Sequence, residues 1–452
     1  MKTVITYGTF DLFHTGHLNL LKRARALGDR LIVGVTSNAY DQARGKLNVV
    51  QTCEERMENV RATGLADLII IEEEEGQKIQ DILHHKADIF AIGSDWTGKF
   101  DYLNEYCRVI YLERTRGVST TSIREQKFQF VRLGLVGCGQ IASRFLKESK
   151  YVSGIEITSV FGRNQQNVVT FAREHEISHS CCDYAQFLNT VDAVYIAVPH
   201  RAHFEYAKQA LLQKKHILCE KPLVLSASEA EDLYNIAEQN NCVLLEAIKT
   251  AYAPAFIQLI EVAKSGIIGA IKAIDATFTK LVLNKKSREY DSLQAGGALT
   301  ELGSYPFLAI AKLLGTDCQN ISFITAKDPE HNVDIFTRAL FLYKTATATA
   351  NVGIGVKKEG DLCIAGTKGY IYVPAPWWKT EYFEIRHEDI RLNRKVYAKF
   401  EGDGLRYELS AFLNMIQRGD RVRHFISRQE SLFLAKIIEK FLNGNNVTYL
   451  GD

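Results

Sequence analysis

The stretch Val131-Arg-Leu-Gly-Leu-Val-Gly-Cys-Gly-Gln-Ile-Ala142 decides the fold of the larger part of this chain. Strand-like sequence leads directly into Gly137, Gly139 and Ala142, which form a G-x-G-x-x-A turn that opens a helix. Such a turn brings the backbone close to a pyrophosphate, which lies at the positive end of the helix. The motif alone is weak evidence, but strand, turn, helix and a second strand follow one another here in register. We therefore predict a dinucleotide-binding α/β domain.

The alternation of strand and helix continues on both sides of this stretch, which favours parallel sheets with helical crossovers. Downstream, strands are expected at Ile155–Phe161, Asp192–Val198, His216–Cys219 and Cys242–Glu246. Upstream, a helix is expected at Leu18–Leu27, and strands are expected at Val4–Tyr7, Arg30–Val35, Leu68–Ile71 and Ile89–Ile92. The acidic run Glu72–Glu75 is interpreted as a solvated loop after a strand.

The texture of the sequence changes after about residue 251, where longer β-rich runs begin. These runs cover residues 270–283 and 334–351, and two helical stretches at 407–417 and 427–442 close the chain. The predicted fold class is α/β, with a Rossmann-like domain at 1–126, a dinucleotide-binding Rossmann domain at 130–250 and an α+β open-sheet domain at 251–452.

The composition is that of a folded soluble protein, with 46% apolar and 24% charged residues among 452. Lys and Arg number 55 against 53 Asp and Glu, and a net charge of +2 favours neither nucleic acid nor a membrane surface as a partner. The 9 cysteines form no C-x-x-C pair, which indicates neither a zinc nor a disulfide framework and is typical of a reducing cytoplasm. The N-terminus does not have the pattern of a signal peptide. We expect a cytoplasmic protein without a metal site of its own.

The first candidate site is Gly8-Thr-Phe-Asp-Leu-Phe-His-Thr-Gly-His17, which follows the first expected strand and leads into a helix. His14 and His17 lie at the entrance of this helix, where backbone N–H groups and the helix dipole favour an anion. The glycines let a phosphate approach the backbone. The alternatives are a zinc pair or two polar loop histidines, but H-x-G-H lacks a third ligand at metal spacing. The pattern favours a phosphate site.

Residues 1–126 resemble the glycerol-3-phosphate cytidylyltransferase family of HxGH nucleotidyltransferases. The motifs that carry the resemblance are residues 8–17, Arg44-Gly-Lys46, Glu55-Arg56, Gly93-Ser-Asp-Trp-Thr-Gly-Lys-Phe-Asp101 and Arg114-Thr-Arg-Gly-Val-Ser-Thr-Thr121. The resemblance implies that a polyol-phosphate oxygen attacks the α-phosphate of CTP, which enters with Mg²⁺, and that pyrophosphate leaves.

The resemblance also implies roles for single residues. It assigns catalysis at the α-phosphate to His14, His17 and Lys46. It assigns CTP binding to Gly8, Thr9, Phe10 and Asp11, and the β- and γ-phosphates to Arg114, Ser119 and Thr120. Ser94, Arg44 and Arg116 stand where the family usually has Asp, Lys and Glu. The acceptor therefore need not be glycerol 3-phosphate, whereas CTP stays the expected nucleotide.

The second candidate site belongs to the dinucleotide-binding domain. Its second strand ends in Phe161-Gly-Arg-Asn164, without the carboxylate that would bind a ribose 2′-hydroxyl. Arg163 favours NADP over NAD; the alternative is that it stacks on adenine, which suits either cofactor.

The third and fourth strands are followed by Ala197-Val-Pro-His-Arg-Ala-His203 and Glu220-Lys-Pro222, at the edge where such sheets bind ligands. With Gly296-Gly-Ala-Leu-Thr-Glu-Leu-Gly-Ser-Tyr305 and Gly366-Thr-Lys-Gly369, they resemble the glucose-fructose oxidoreductase, inositol dehydrogenase and rhizopine-catabolism (Gfo/Idh/MocA) family over residues 130–452. The resemblance implies hydride transfer between a nicotinamide cofactor and a sugar or polyol carbon.

The resemblance also implies that Lys221 lies near the reacting oxygen and that Tyr305 relays the proton. Cofactor binding is assigned to Gly137, Gly139, Ala142, Arg163, Pro199, His203 and Glu220. Two positions depart from the family, because Glu301 replaces the usual Asp and Ala251 stands where Arg is common. The basic residues Lys285, Lys286 and Arg288 either meet a substrate phosphate or belong to a solvated loop. A homo-oligomer formed through the C-terminal sheet is expected.

Two active sites on one chain suggest two steps of one pathway. The leading hypothesis is NADPH-dependent reduction of a sugar phosphate to a polyol phosphate, followed by transfer of a cytidylyl group from CTP. The resulting CDP-polyol would feed capsule or teichoic-acid-like polymers. One alternative is a cytidylyltransferase whose oxidoreductase-like half is a structural or regulatory scaffold. Another is a dehydrogenase that acts on an already activated, nucleotide-linked sugar.

Overall fold

The computed structural model describes residues 1–74, 76–113, 130–418 and 426–451. The chain divides into two compact units. The first comprises Met1–Arg132, Ser149–Thr158 and Val169–Ser180, and the second Leu133–Glu148, Ser159–Val168 and Cys181–Asp452. The domain limits expected at residues 126, 130 and 250 therefore stay a prediction.

The N-terminal residues form a five-stranded sheet. Its strands are β1 Thr3–Gly8, β2 Arg30–Thr36, β3 Leu68–Glu72, β4 Ile89–Gly93 and β5 Arg108–Leu112, and its helices are α1 Thr15–Arg25, α2 Asn38–Ala43, α3 Cys53–Arg61 and α4 Gln77–His85. The strand order is β3-β2-β1-β4-β5, and every neighbouring pair is parallel. Apolar clusters cover the sheet on both faces, which explains why its strands read as nearly continuous apolar runs.

The acidic run after β3 is not entirely a solvated loop, and the expectation is wrong for Glu72. This residue ends the strand, is 0% exposed and forms an ion pair with Lys78 of α4. A buried carboxylate needs such a partner, because its desolvation is otherwise uncompensated. Glu73 and Glu74 are exposed as expected.

A second sheet follows in the next part of the chain. Its strands are β6 Val131–Val136, β7 Ile155–Phe161, β8 His179–Cys181, β9 Ala193–Ile196, β10 His216–Glu220 and β11 Leu244–Ala247, and its helices are α5 Gln140–Ser149, α6 Gln165–Glu174, α7 Tyr184–Leu188, α8 His203–Leu212 and α9 Ala227–Gln239. The order β11-β10-β9-β6-β7-β8 reverses direction between β9 and β6. In a doubly wound sheet the crevice at such a reversal, outside the carboxyl ends of the strands, binds the ligand.

The remaining residues form a nine-stranded mixed sheet with helices. The strands are β12 Ile271–Thr279, β13 Asn320–Lys327, β14 Asp334–Leu342, β15 Thr347–Gly353, β16 Leu362–Gly366, β17 Tyr370–Val373, β18 Tyr382–Arg386, β19 Arg394–Tyr397 and β20 Val447–Tyr449, and the helices are α10 Pro254–Lys264, α11 Ala298–Leu302, α12 Ser304–Leu314, α13 Leu405–Arg418 and α14 Arg428–Leu442. The order is β19-β18-β17-β16-β12-β15-β14-β13-β20, with β12 parallel to β15 and antiparallel to β16. The β-rich run predicted at 334–351 contains two antiparallel strands, β14 and β15.

The predicted α/β class is confirmed by these three sheets. The sequence did not indicate β8, because a strand of 3 residues is too short to show a periodic pattern. Among the described residues, no helix has both the length and the apolar content that crossing a bilayer requires.

The packing of β1 against β2 gives a first test. Gly34 pairs with Tyr7 across the two strands, and a Cβ on Gly34 would lie 2.2 Å from the Tyr7 ring. We expect Gly34→Ala to lower the free energy of unfolding by about 1–3 kcal/mol, because the ring must move out of a close-packed core. Urea denaturation of the full chain measures this loss.

Gly93 at the end of β4 is the matched control, because a Cβ there would have no described neighbour within 4 Å. Gly93→Ala should change the free energy of unfolding by less than about 0.5 kcal/mol. Equal stability of the two variants would contradict the role given to the Tyr7 ring.

Candidate functional sites

His14 and His17 form the centre of the first site, and each ring orients the other. His14 is the N-cap of α1, and its Nδ1 accepts a hydrogen bond from the Gly16 N–H at 3.0 Å. The His17 Nδ1 accepts a longer bond of 3.4 Å from the backbone N–H of His14. The two rings stack with their centroids 3.9 Å apart. This reciprocal arrangement is a capping box built from histidines, and it fixes both rings at the helix N-terminus.

These hydrogen bonds assign the tautomer of both rings. Because each Nδ1 is an acceptor, the hydrogen of a neutral ring lies on Nε2, which can donate to a phosphate oxygen. The pKa of His17 lies well below its usual range, first because the ring is desolvated and then because His14 and Lys46 are nearby. His17 is therefore neutral at pH 7 before a phosphate binds. The Lys46 ammonium contributes to the low pKa of His17, and it donates a hydrogen bond to the Lys150 carbonyl at 2.5 Å.

The loop that carries Thr9 is held by a buried ion-pair network. The Thr9 hydroxyl accepts a hydrogen bond from Arg44 at 2.7 Å and lies 3.1 Å from the carboxylate of Asp41. Asp41 is 1% exposed and forms ion pairs with both Arg44 and Arg56. Arg56 is 0% exposed and donates to the Thr9 carbonyl at 2.6 Å. Through these contacts with Thr9, the network fixes the backbone of the loop.

Phe10 and Asp11 face the protein interior. The Phe10 ring is 1% exposed and meets the His17 ring edge-on at 5.4 Å. The carboxylate of Asp11 accepts hydrogen bonds from the backbone N–H groups of Val50 and Gln51. Phe10 has a φ of 53°, in the left-handed region that a phenylalanine rarely adopts. Such strain is found at functional loops, where surrounding contacts hold the backbone in place.

The predicted phosphate-binding residues Arg114, Ser119 and Thr120 lie outside the described residues. Gly8 ends β1, directly before the Thr9 loop. The structure thus brings His14, His17, Lys46 and the Thr9 loop together, and their roles stay predictions.

The dinucleotide turn of the second site lies at the end of β6. Gly137 has a φ of 114° and donates a hydrogen bond to the Phe161 carbonyl at 2.9 Å. A Cβ on Gly137 would lie 2.4 Å from the Ala197 carbonyl oxygen, whereas one on Gly139 would meet nothing described within 4 Å. Ala142 is 0% exposed, where a small residue lets α5 pack closely on the sheet. The turn therefore has an open cradle at Gly139, of the form that accepts a pyrophosphate.

The end of β7 presents Arg163 to solvent. The neighbouring Asn164 is occupied, because its side chain accepts a hydrogen bond from the Asn167 N–H at the start of α6. Arg163 is an exposed cation at this strand end, where a ribose or its 2′-phosphate is predicted to lie.

Lys221 meets the Gly-rich segment that precedes α12. Its ammonium donates to the Glu301 carbonyl at 2.8 Å and lies 3.9 Å from the Glu301 carboxylate. The same carboxylate accepts a hydrogen bond from Arg288 at 2.9 Å, and Arg288 also lies 3.1 Å from the His200 Nε2. The structure therefore gathers Lys221, Glu301, Arg288 and His200 into one cluster.

One carboxylate oxygen of Glu301 has no hydrogen-bond partner among the residues that the structure describes, and it lies 3.6 Å from the His200 Nε2. The pKa of His200 lies well below its usual range, first because the ring is buried and then because Lys221 and Arg288 are close, while the Ala295 backbone opposes this shift. A carboxylate oxygen without a hydrogen-bond partner is suited to accept a hydrogen bond from a hydroxyl group of a substrate.

Tyr305 and Glu220 belong to the same predicted site as Lys221. Tyr305 packs edge-on against Phe278 at 5.1 Å, and its pKa is raised by burial and then by the acidic groups of Glu220, Glu408 and Glu301. Tyr305 is therefore a neutral phenol that can donate a proton. Glu220 accepts a hydrogen bond from the Tyr195 hydroxyl at 2.6 Å, and burial raises its pKa.

The buried ring of His203 contacts the backbone of the two loops that follow β9 and β10. Its ring is 0% exposed and lies with one nitrogen 2.8 Å from the Val198 carbonyl and the other 2.8 Å from the Pro222 carbonyl. Burial lowers the pKa of His203 to about 4, so the neutral ring donates to one of the two. Pro199 is half-buried in the same loop. Their predicted contact with the cofactor stays a prediction.

Sequence reasoning left two members of the Lys221 cluster undecided. The sequence leaves Arg288, like two other basic residues, open between a phosphate contact and a solvated loop, and it assigns no role to His200. The structure separates the basic residues, since Lys285 pairs with Asp328 at 2.7 Å while Arg288 joins the cluster and Lys286 is exposed. The Gly296–Tyr305 motif was the available signal, because it holds Glu301, the acidic partner of Arg288. Ala251, the second departure, is buried.

Comparison with known proteins agrees with two separate sites. The cytidylyltransferase-like family matches residues 5–126. The oxidoreductase family with an NAD-binding Rossmann fold, Gfo/Idh/MocA, matches residues 131–247, and the Gfo/Idh/MocA C-terminal domain matches residues 256–372. Glycerol-3-phosphate cytidylyltransferase of Bacillus spizizenii is 50% identical over 125 residues, which are 28% of this chain and 96% of that enzyme. This chain joins a cytidylyltransferase to a Gfo/Idh/MocA oxidoreductase. Both predicted families and both enzyme classes are confirmed.

The oxidoreductase part is similar to several known proteins over nearly their whole length. scyllo-Inositol 2-dehydrogenase (NADP(+)) of Bacillus subtilis is 26% identical over 344 residues, which are 71% of this chain and 99% of that enzyme. A solved 3-ketoreductase from Actinomadura kijaniata, in complex with NADP and TDP-benzene, has a TM-score of 0.64 and 24% identity, with 71% of this chain and 99% of that chain covered. At this identity the likeness to the solved structure shows the fold alone.

The two glycines of the dinucleotide turn give a second test. We expect Gly139→Ala to fold normally, since no described atom lies within 4 Å of its Cβ, but to weaken NADP binding about tenfold because a methyl group then faces the pyrophosphate. Isothermal titration calorimetry with NADP measures the affinity.

Gly137→Ala is the contrasting variant, because its Cβ would lie 2.4 Å from the Ala197 carbonyl at a φ of 114°. We expect it to lose about 1–3 kcal/mol of stability in thermal unfolding. Undiminished affinity in Gly139→Ala would exclude a pyrophosphate at this turn.

Proposed function

We propose that this chain makes a CDP-polyol in two steps. The oxidoreductase part reduces a keto- or aldo-sugar phosphate with NADPH, and the cytidylyltransferase part transfers a cytidylyl group from CTP to the resulting polyol phosphate. The observation that carries the proposal is the presence of both groups, His14 with His17 and Lys221 with Glu301, in one chain. One reaction yields the class of compound that the other consumes.

The first site supplies electrostatic stabilisation rather than a nucleophile. An oxygen of the polyol phosphate attacks the α-phosphorus of CTP, the bond to the β-phosphate oxygen breaks, and pyrophosphate leaves. The Nε2–H groups of His14 and His17, together with the N-terminus of α1, donate to the phosphate oxygens as charge builds up.

Magnesium enters this site with CTP in our proposal. The carboxylates of Asp11 and Asp41 are already occupied by backbone N–H groups and by arginines. The phosphates of CTP themselves are therefore the ligands that would hold Mg²⁺, which shares their negative charge.

The second site is suited to a reduction with NADPH. Bound NADPH supplies the hydride. The Lys221 ammonium has three hydrogens, and it donates one to the backbone carbonyl of Glu301. The other hydrogens can donate to the carbonyl oxygen of the substrate. Tyr305 gives that oxygen a proton as an alcohol forms. Arg163, exposed where NAD-binding proteins usually have an acidic residue, supports NADP as the cofactor.

The charge of the Lys221 cluster supports a phosphorylated substrate. Arg288 shares the Glu301 carboxylate with Lys221, and His200 is neutral because its pKa is lowered. The Arg288 side chain is 36% exposed, so its guanidinium can also meet the phosphate of a substrate.

A CDP-polyol is an activated donor for building polymers, and we place this chain in the synthesis of capsule or teichoic-acid-like polymers at the cytoplasmic side. A homo-oligomer formed through the nine-stranded sheet is part of the same proposal.

The direct test incubates the full chain with CTP, Mg²⁺, NADPH and a panel of sugar phosphates: ribulose 5-phosphate, xylulose 5-phosphate and dihydroxyacetone phosphate. We expect NADPH oxidation and CDP-polyol formation with at least one of them, measured by absorbance and by mass spectrometry. If CDP-polyol forms only from preformed polyol phosphate and NADPH is never consumed, the oxidoreductase half is a scaffold. If NADPH is consumed only with a nucleotide-linked sugar, the order of the steps is reversed.

Two variants separate the two sites. Lys221→Ala should lose NADPH oxidation by a factor of about 100 or more, while pyrophosphate release from CTP and polyol phosphate survives. His17→Ala should lose pyrophosphate release by a similar factor and keep NADPH oxidation. Loss of both activities in either variant, with an unchanged thermal transition, would contradict independent sites.

A further inference from the structure

Residues 150–153 connect α5 with β7 in the sequence of the oxidoreductase part, yet they belong to the same compact unit as residues 1–132. The reductive mechanism above gives this segment no role. Its contacts go instead to two of the motifs that carry the cytidylyltransferase resemblance, at 44–46 and at 93–101. Sequence of one enzyme is thus built into the structure of the other.

The side chain and the backbone of Lys46 are held from two directions. Its backbone N–H donates to the Asp41 carbonyl at 2.8 Å, within the cytidylyltransferase part. Its ammonium donates to the Lys150 carbonyl at 2.5 Å, and the side chain is half-buried. A lysine side chain has many rotamers when nothing holds it, and a fixed hydrogen bond removes most of them. The Lys150 carbonyl therefore limits where the predicted catalytic ammonium can be.

The backbone next to Lys46 is joined to the same segment. The Leu47 N–H donates to the Tyr151 carbonyl at 2.6 Å, and the Ser153 N–H donates to the Leu47 carbonyl at 3.0 Å. These two bonds form a parallel bridge between Leu47 and Val152, and Val152 is buried. Both backbone polar groups of Leu47 are thus bonded to the 150–153 segment, which fixes the chain directly after Lys46.

A second cytidylyltransferase motif meets the same segment. The Lys150 ammonium donates to the Asp95 carbonyl at 2.6 Å. The Tyr151 ring packs edge-on against Trp96, with the ring centroids 6.1 Å apart, and the Tyr151 hydroxyl accepts a hydrogen bond from Lys99 at 3.3 Å. Two consecutive residues of one short segment therefore contact two motifs that are far apart in the cytidylyltransferase sequence.

The departure at Ser94 also matches a contact with oxidoreductase sequence. The Ser94 hydroxyl donates to the carboxylate of Glu176 at 3.1 Å, and Glu176 follows α6 in the same compact unit. An aspartate at position 94 would bring two carboxylates together, and like charges at such a distance repel each other. Serine instead offers the carboxylate a hydrogen. A residue outside the cytidylyltransferase part thus accounts for this departure.

We propose that the 150–153 segment positions Lys46 for cytidylyl transfer, so that oxidoreductase sequence completes the cytidylyltransferase site. Lys150 acts through Lys46 and does not touch the nucleotide, so it is a positioning residue. In the proposed transfer, the ammonium that it holds stabilises the α-phosphate of CTP as charge develops there. This inference rests on the function proposed above.

The test is Ser153→Pro in the full chain, which removes the N–H that bonds to the Leu47 carbonyl. Gly154 has a φ of 85°, and a proline directly before such a glycine is typical of a type II turn, so the turn itself should persist. We expect kcat for pyrophosphate release from CTP with glycerol 3-phosphate or ribitol 5-phosphate to fall about tenfold. The affinity for CTP with Mg²⁺, measured by calorimetry, should not change, because Lys46 acts on the transition state.

Ser153→Ala is the matched control, because it removes the hydroxyl and keeps the backbone N–H. Its kcat should stay within about twofold of the unchanged protein. NADP affinity and the thermal transition should be the same in both variants, which reports that the chain is folded.

A double-mutant cycle with Lys46→Met separates positioning from a general loss of structure. Lys46→Met alone should lower kcat by about 100-fold. If the segment acts through Lys46, Ser153→Pro should change kcat by less than about twofold once position 46 is methionine. A tenfold loss in both backgrounds would show that the bridge is only structural, and it would overturn the proposal.

A second readout needs no turnover. Acetic anhydride modifies lysine amines, and an amine that is held in a hydrogen bond and half-buried reacts slowly. Ser153→Pro should raise the acetylation rate of Lys46 several-fold, measured by mass spectrometry. The exposed Lys86 should react at the same rate in both proteins.

The outcomes are distinguishable. If neither polyol phosphate releases pyrophosphate, the proposed transfer fails, while the acetylation rate of Lys46 still reports whether the segment holds its ammonium. If pyrophosphate is released and Ser153→Pro keeps the kcat of the unchanged protein, the positioning role is overturned. An unchanged acetylation rate of Lys46 in Ser153→Pro overturns it as well.

Discussion

The hydrogen bond from the Lys221 ammonium to the Glu301 carbonyl is the contact on which the reductive site depends. Lys221 follows a strand of the dinucleotide-binding sheet, and Glu301 belongs to a short helix beside the nine-stranded sheet. An ammonium in a largely buried place must be bonded, so this contact ties the two layers of the site together. It also fixes where the remaining hydrogens of the ammonium point. Arg288 then holds the Glu301 carboxylate, and the carbonyl stays free for Lys221.

The first site also contains a buried cation that is bonded to a backbone carbonyl. The Arg56 guanidinium is completely buried, and it is bonded to the Asp41 carboxylate and to the Thr9 carbonyl. Removal of one partner would leave a buried charge, which costs far more than the pair gains. Both predicted sites thus hold a loop through a buried cation with an oxygen partner. In the proposed function, recognition of phosphate rests on these few placed groups, and a chain with a net charge of +2 needs no basic surface for it.

The features that the sequence predicts well are those formed by residues close together in the chain. The Gly137 turn and the His14–His17 pair are set by neighbours within a few residues, and motif spacing reports such neighbours directly. Arg288 becomes informative only through its hydrogen bond to the carboxylate of Glu301, 13 residues further along the chain. Glu72 shows the same limit, since an acidic run predicts solvent and the ion pair with Lys78 is a tertiary contact. A residue pattern indicates the chemical class of a site. The partner that changes the charge state of an ionisable residue depends on tertiary contacts.

Burial keeps the proton-carrying groups of both sites in their neutral form. For His17, His200 and Tyr305 alike, desolvation is the first cause of the change in pKa. A neutral donor binds a phosphate or a carbonyl oxygen through N–H or O–H groups, and its pKa then rises when an anion arrives. The ligand itself therefore brings the charge that makes a histidine at this place a stronger donor.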